Sequence, residues 1–400
     1  MEQVIVIGGG ASGMMAALRA AEGAGSRVLL LERQQRLGRK LLSTGNGRCN
    51  LTNIHARPER YHGEDRDFVR PALEKYPPEA VLTRFHALGL LTVTEPSGRV
   101  YPLSDTAGSV LDVLRFALAQ AGVEVRTACP ARELWREDGG YAVRTEGELL
   151  HADALIVACG GAAGEKLGGV MDGYELLRPL GHKRTALRPA LVQLLTEPDY
   201  PRALKGVRAD AALLLCAGEE RLAGSEGELQ FTERGVSGPA VFDLSRQAAE
   251  GQTLRADFLR AYEPEAVLAL LRQRRAALPD LEAGELLTGM LHNRLGKMLL
   301  KYAALDLRRT IGSLSDRELG RVMHACKDFR LPVRGTEGFD HAQVTAGGVR
   351  TAGFDPGTLE SWFMPRLFVC GELLDIDGDC GGFNLQWAWA SGLLAGGLGR

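Results

Sequence analysis

The densest chemical signal in the chain is a group of glycines followed by one acid. Val4-Ile5-Val6-Ile7-Gly8-Gly9-Gly10-Ala11-Ser12-Gly13 is an apolar run that ends in a glycine turn. Gly8, Gly10 and Gly13 have the G-x-G-x-x-G spacing. In that pattern the first glycine makes a tight turn and the second lets the backbone approach a pyrophosphate. The third lets a helix pack on its strand. The helix start then offers N–H groups and a positive dipole end to phosphates. A second apolar run, Arg27 to Leu31, leads into Glu32 and Arg33. An acid at that place accepts hydrogen bonds from an adenosine ribose. These residues predict dinucleotide binding, against the plainer alternative of a structural strand, turn and helix.

Three further stretches have the composition of ligand-binding loops. Arg36 to Asn53, RLGRKLLSTGNGRCNLTN, is polar, basic and punctuated by glycine. Gly45 and Gly47 permit close backbone approach, and Asn46, Arg48 and Asn50 supply donors around Cys49. The same composition also suits a solvated loop with Asx turns, and both readings stand on local residues alone. Ala154 to Ala158 is an apolar strand that runs into Cys159-Gly160-Gly161. Near the end of the sequence, Leu367 to Cys370 runs into Gly371-Glu372, and Gly381-Gly382-Phe383-Asn384-Leu385-Gln386 starts a helix. A remote strand and helix of this kind distinguish a flavin dinucleotide domain from an NAD unit. The acid meets a ribitol hydroxyl, and the helix start faces the pyrimidine end of the flavin.

The elements that must position these residues follow from periodicity. A helix is predicted from Ala11 to Ala24, a strand over Val123 to Thr127, and a hairpin from Leu134–Arg136 and Tyr141–Thr145. Leu149 to His151 is a short strand, and Leu90–Val93 with Arg99–Tyr101 form a strand pair. Apolar runs at 191–195, 211–216 and 228–232 suggest a small antiparallel unit, and Glu263 to Leu314 reads as mostly helical. The expected fold class is α/β: a Rossmann-like FAD-binding domain built from 1–190 and 336–400. An insertion over about 191–335 interrupts it.

Bulk composition excludes several classes. Of 400 residues, 45% are hydrophobic and 24% charged, which is ordinary for a globular protein. A net charge of −2 gives no global case for nucleic acid or an anionic membrane. No apolar stretch of about 20 residues predicts a membrane span, and no signal peptide is expected. Seven scattered cysteines without a C-x-x-C argue against a disulfide framework or a zinc site, and for a reducing cytoplasm.

The blocks GGGASG, GRKLLSTGNGRCNLTN, ACGG, DGYELLRPLGH, ELQFTERGVSGPAVFDLS, QVTAGGV and GELLDIDGDCGGFNLQWAWASG occur in order over nearly the whole chain. Together they resemble the BaiN/RdsA-type flavoproteins, also described as the aminoacetone oxidase family or NAD(P)/FAD-dependent oxidoreductases. The resemblance implies non-covalent FAD, and it implies that the insertion is a β-barrel-like domain over 191–255 and 325–335 with a helical insert at 256–324. It puts Gly8, Gly10, Ala11, Ser12 and Gly13 on the pyrophosphate and Glu32 on the adenosine ribose. Arg39 and Lys40 fall near the dinucleotide, and Gly45 to Cys49 beside the flavin. Pro130 and Ala131 would face the adenine, Glu372 the ribitol, and Gly382, Asn384 and Leu385 the ring. Cys159 stands where the commoner flavoprotein pattern has threonine. The resemblance favours ligand wrapping for the 45–50 loop.

No catalytic residue is readable. Cys49 and Cys380 read as small packed residues. Asp375-x-Asp377-x-Asp379 lacks the glycine and glutamate of a calcium loop, so no metal is expected. Tyr61, Tyr101 and Tyr174 are weak candidates for a proton donor. With no second G-x-G-x-x-G, NAD(P)H would dock only transiently. Three functions follow: a reductase passing hydride from NAD(P)H to a small unsaturated molecule, an oxygen-using amine oxidase, or an FAD-containing RNA-binding or regulatory protein. The expected partner is a small-molecule substrate, without nucleic acid or membrane.

Overall fold

The computed structural model describes residues 1–23 and 25–400. The chain forms two compact units: Met1–Pro189 with Ala342–Arg400, and Ala190–His341.

The first unit is built on a five-stranded sheet. Its strands lie in the order Leu367–Val369, Ala154–Val157, Glu2–Ile7 (β1), Ser26–Leu31 (β2) and Glu124–Arg126. All neighbours are parallel, with Val4 opposite both Ala154 and Val28. A parallel strand covered on both faces reads as a continuous apolar run, and Val4 to Ile7 are buried. The chain leaves β1 on one side for β2 and on the other for Ala154–Val157, so β1 ends at a topological switch point. Ligands of open α/β sheets bind there, outside the carboxyl ends of the strands.

Helix α1 (Ala11–Ala21) follows the glycine turn. Its expected end at Ala24 falls outside the described residues. The C-terminal helix Phe383–Gly396 is almost wholly buried. Trp387 Nε1 donates to Gly371 O at 3.1 Å, and Trp389 Nε1 donates to Leu51 O at 2.8 Å. Large apolar bodies with one satisfied donor each thereby tie the remote glycine blocks together. The Glu133–Glu137, Gly140–Arg144 and Leu149–Ala152 strands form an antiparallel sheet. The strand expected at Leu90–Val93 is instead Thr92–Thr94, because Leu90 N–H closes the preceding helix on Phe85 O.

The second unit holds a closed six-stranded barrel. In order around it run Leu194–Thr196, Gly235–Ser237, Glu220–Phe231, Arg208–Ala217, Thr253–Asp257 and Phe329–Thr336. Alternate residues point inward, so Phe329, Leu331 and Val333 are buried and Arg330 and Arg334 are not. Helices at Pro264–Ala277, Asn293–Tyr302 and Asp316–Lys327 accompany it. The helical reading of 263–314 is interrupted between the first two, where Pro279 and Gly289 intervene. The third helix begins beyond it, on a Ser315–Glu318 capping box. Among the described residues no helix is long and apolar enough to cross a membrane.

Candidate functional site

The sheet brings four of the sequence-selected segments to one edge. β1 ends at Gly8, β2 at Glu32, Ala154–Val157 before Cys159-Gly160, and Leu367–Val369 before Gly371-Glu372.

Glycines in the β1 turn are there for different reasons. A Cβ on Gly13 would stand 1.8 Å from Gly8 O, so this glycine lets α1 start against the strand. Gly10 is different. Its φ and ψ of −80° and −170° suit any residue, and a Cβ there meets nothing within 4 Å. Neither backbone strain nor internal crowding requires glycine at this N-cap. The site tolerates a side chain from the protein's point of view and is open where a pyrophosphate would lie against the helix start.

Glu32 is 8% exposed, and both carboxylate oxygens accept amide protons. Oε2 takes Gly9 N–H at 2.8 Å, and Oε1 takes Gln34 N–H at 2.6 Å. Burial outweighs these donors and raises its pKa above the ordinary carboxylate value. Pro130 and Ala131 lie beside this acid, since Ala128 and Cys129 N–H donate to the Gln34 and Glu32 carbonyls. Arg33 turns to Asp172 at 2.9 Å and Arg39 to Gln34 Oε1 at 3.1 Å.

Glu372 is the second anchored acid. Lys40 Nζ donates to Oε2 at 2.7 Å, and Thr345 N–H donates to Oε1 at 2.8 Å. Thr345 Oγ1 in turn accepts Ala163 N–H at 2.9 Å. A Cβ on Gly161 would lie 2.4 Å from Thr345 Oγ1 and 2.8 Å from Glu372 Oε1, so this knot requires the second glycine of the ACGG block. Nothing in the local sequence marks Thr345 except its place in the QVTAGGV block.

The 36–53 loop is more ordered than its composition suggests. Short 3-10 turns run from Leu41 to Gly47, broken at Thr44, Gly45 and Asn46. Gly45, Asn46, Gly47 and Cys49 all have positive φ. Arg48 stacks on Tyr101, 4.0 Å from the ring centroid, and pairs with Glu95 and Asp105. Cys49 is fully buried and its thiol is pushed up to about 12, which removes the thiolate a redox role needs. Burial does the same to Cys159. Asn50 Oδ1 is buried with no hydrogen-bond partner, 2.8 Å from where a Cβ on Gly382 would be. An orphaned buried acceptor beside a glycine turn is a place for a ligand donor.

At the C-terminal helix start, Asn384 spends its amide on Gly378 N and O, both at 2.8 Å. Leu385 is half-buried. What this end leaves open is its first-turn N–H groups, which have no partner inside the helix. Tyr61 OH donates to Phe383 O at 3.0 Å, so that phenol is committed. Tyr174 OH is buried and unpartnered, and burial raises its pKa. The open Gly10, the two anchored acids and the orphaned Asn50 acceptor suit a long dinucleotide better than a compact ligand.

This sheet order, glycine turn and remote helix define an FAD-dependent oxidoreductase of the Rossmann kind. Residues 2–398 match the family described as HI0933-like protein Rossmann domain, and the chain belongs to it. It is 40% identical to a 3-dehydro-bile acid delta(4,6)-reductase of Clostridium scindens, over 99% of this chain and 98% of that one. It is 29% identical to a ribosomal RNA dihydrouridine synthase of Escherichia coli, over 97% and 95%. In fold it resembles 3-ketosteroid delta1-dehydrogenase from Sterolibacterium denitrificans, with 16% identity, a TM-score of 0.51 and 99% of both chains covered.

Proposed function

We propose that the protein is an FAD-dependent reductase that passes hydride from NAD(P)H to a C=C conjugated with a carbonyl in a small organic ring. The observation that carries this is the 40% identity, end to end, to a named reductase of an unsaturated 3-dehydro bile acid. A 3-dehydro compound with such unsaturation is an enone. Dihydrouridine, in the name of the second relative, is uridine with its ring C=C saturated. Both names describe hydride and proton addition across a C=C next to a carbonyl.

When bound, FAD supplies two-electron hydride chemistry. The chain's residues hold it. Gly10 and the α1 N-terminus would take the pyrophosphate, Glu32 the adenosine ribose, and Glu372, fixed by Lys40 and Thr345, the ribitol. The Phe383–Gly396 helix start and the 45–50 loop would border the ring. Tyr174, kept protonated by burial, is the candidate to hold a proton near Glu372.

The ribosomal RNA reading draws on two relatives named ribosomal RNA dihydrouridine synthase, 29% and 26% identical. The basic run on the Pro264–Ala277 helix gives it no support, because its charges are internally committed. Arg272 and Arg275 both pair with Asp316, and Arg274 donates to Glu285 O.

Anaerobic mixing tests the reductase reading. NADH or NADPH is expected to bleach a yellow protein, and a conjugated enone to restore the colour. Bleaching by an amine but by neither nicotinamide, with peroxide formed in air, would sink the proposal in favour of an amine oxidase.

A further inference from the structure

Arg99 is a cation without a counter-charge. It is half-buried at the start of the Arg99–Pro102 strand, yet it donates no side-chain hydrogen bond and forms no ion pair among the described residues. Other half-buried arginines behave differently. Arg19 and Arg84 pair with Glu22, Arg126 with Glu124, Arg255 with Asp328, and Arg309 with Glu318. The Arg99 guanidinium nitrogens are not among the buried unpartnered atoms, so water holds this cation and an arriving anion can take the place of that water.

The place of Arg99 says what would meet it. Its Nε lies 2.9 Å, and its Nη2 3.4 Å, from where a Cβ on Gly381 would stand. The guanidinium thus lies along the Gly381-Gly382 turn that opens the C-terminal helix. Asn53, opposite Arg99 in the strand register, donates its side-chain amide to Gly381 O at 2.9 Å and fixes that turn. Nearby cations are already neutralised: Arg48 by Glu95 and Asp105, and Arg60 by Asp379. Any negative charge that arrives at this turn meets Arg99 together with the positive end of a 14-residue helix.

We propose that Arg99 is the counter-cation for the negative charge that the flavin ring acquires on reduction. This rests on the FAD reading above and adds a residue that sets the cofactor's redox balance. Reduced flavin carries an ionisable proton on its pyrimidine side, the end that the Gly381–Gln386 helix start would face. A fixed cation there favours the reduced over the oxidised form.

The test is dye-equilibrated reduction of the FAD-loaded wild type, Arg99→Met and Arg99→Lys. At a fixed ratio of reduced to oxidised dye, Arg99→Met is expected to hold at least tenfold less reduced flavin relative to oxidised. That is a potential lower by about 30 mV for a two-electron couple. Arg99→Lys, which keeps the charge, is expected to stay within about threefold of wild type. Because Arg99 has no partner to lose, both variants should melt like wild type, which separates the effect from misfolding. A yellow Arg99→Met with an unshifted ratio overturns the proposal, and a raised substrate KM in that same variant assigns the cation to a substrate anion instead. A wild type that takes up no flavin overturns this proposal and the FAD reading together.

Discussion

Two glutamates show how differently the two units treat charge. Glu32, in the nucleotide-fold unit, is buried against the glycine turn, and that burial raises its pKa despite two amide donors. Glu318, in the barrel unit, caps its own helix with Ser315 and pairs with Arg309, and its pKa falls to about 2. The barrel unit pairs its charges internally: Arg272 and Arg275 share Asp316, and Arg255 and Arg330 share Asp328, while Thr232 Oγ1 and Arg274 Nε are buried there without a partner. The nucleotide-fold unit leaves Gly10 open, Asn50 Oδ1 and Tyr174 OH orphaned, and Arg99 unpaired. An orphaned acceptor beside a glycine turn, as Asn50 Oδ1 is beside Gly382, marks where a ligand completes it.

The largest expected effect comes from Gly13→Ala. The added methyl runs into Gly8 O, and relief requires the strand and helix to separate, at a cost of about 3 kcal/mol. A melting curve like wild type would contradict the close approach. Next is Lys40→Met, which strips Glu372 of its cation while leaving Thr345 N–H in place. Flavin binding is expected to weaken about tenfold, roughly 1.4 kcal/mol. Unchanged affinity in a fluorescence titration would remove Glu372 from the cofactor site.

The two glutamates should then respond to pH with opposite signs. Glu32 has a raised folded pKa, so its contribution is full below the unfolded value and is lost as pH rises through the folded value. Relative to wild type, Glu32→Gln should therefore gain melting temperature as pH rises from the ordinary carboxylate value of 4.5 through the raised folded value. Glu318 has a depressed pKa, so its contribution is present above the ordinary value of 4.5 and is lost as pH falls toward about 2. Glu318→Gln should be less stable than wild type at neutral pH and equal to it near that acid limit. Parallel pH profiles for the two variants would erase the contrast. Smallest is Asp316→Asn, which frees the exposed Arg272 and the half-buried Arg275. Surface pairs contribute little, so the melting temperature should move slightly and flavin content not at all.

Much of the nucleotide-binding half is legible in the sequence because its signals are local. A parallel strand buried on both faces is a continuous apolar run, and a turn against a phosphate is glycine in fixed spacing. Val4 to Gly13, Ala154 to Gly161 and Leu367 to Glu372 carry both. What the sequence hides are partners brought from far along the chain. Thr345 N–H meets Glu372 directly in the space that Gly161 leaves open, and Arg99 meets Gly381 across a strand pair, with no periodicity to announce either. The short barrel strand at Gly235–Ser237 is equally silent, since three residues cannot display an alternation. Arg48 shows the opposite failure: a donor chosen for its setting in a glycine loop turns to Glu95 and Asp105.

The β1 turn is shaped for a ligand outside the chain, and Gly10→Ser probes that shape without disturbing the fold. Serine is a better N-cap than glycine by a few tenths of a kcal/mol, and nothing in the protein obstructs it. The variant is expected to melt at or slightly above the temperature of the flavin-free wild type but to purify colourless and take up no FAD. A Gly10→Ser protein as yellow as wild type, with the same flavin per chain, would contradict it.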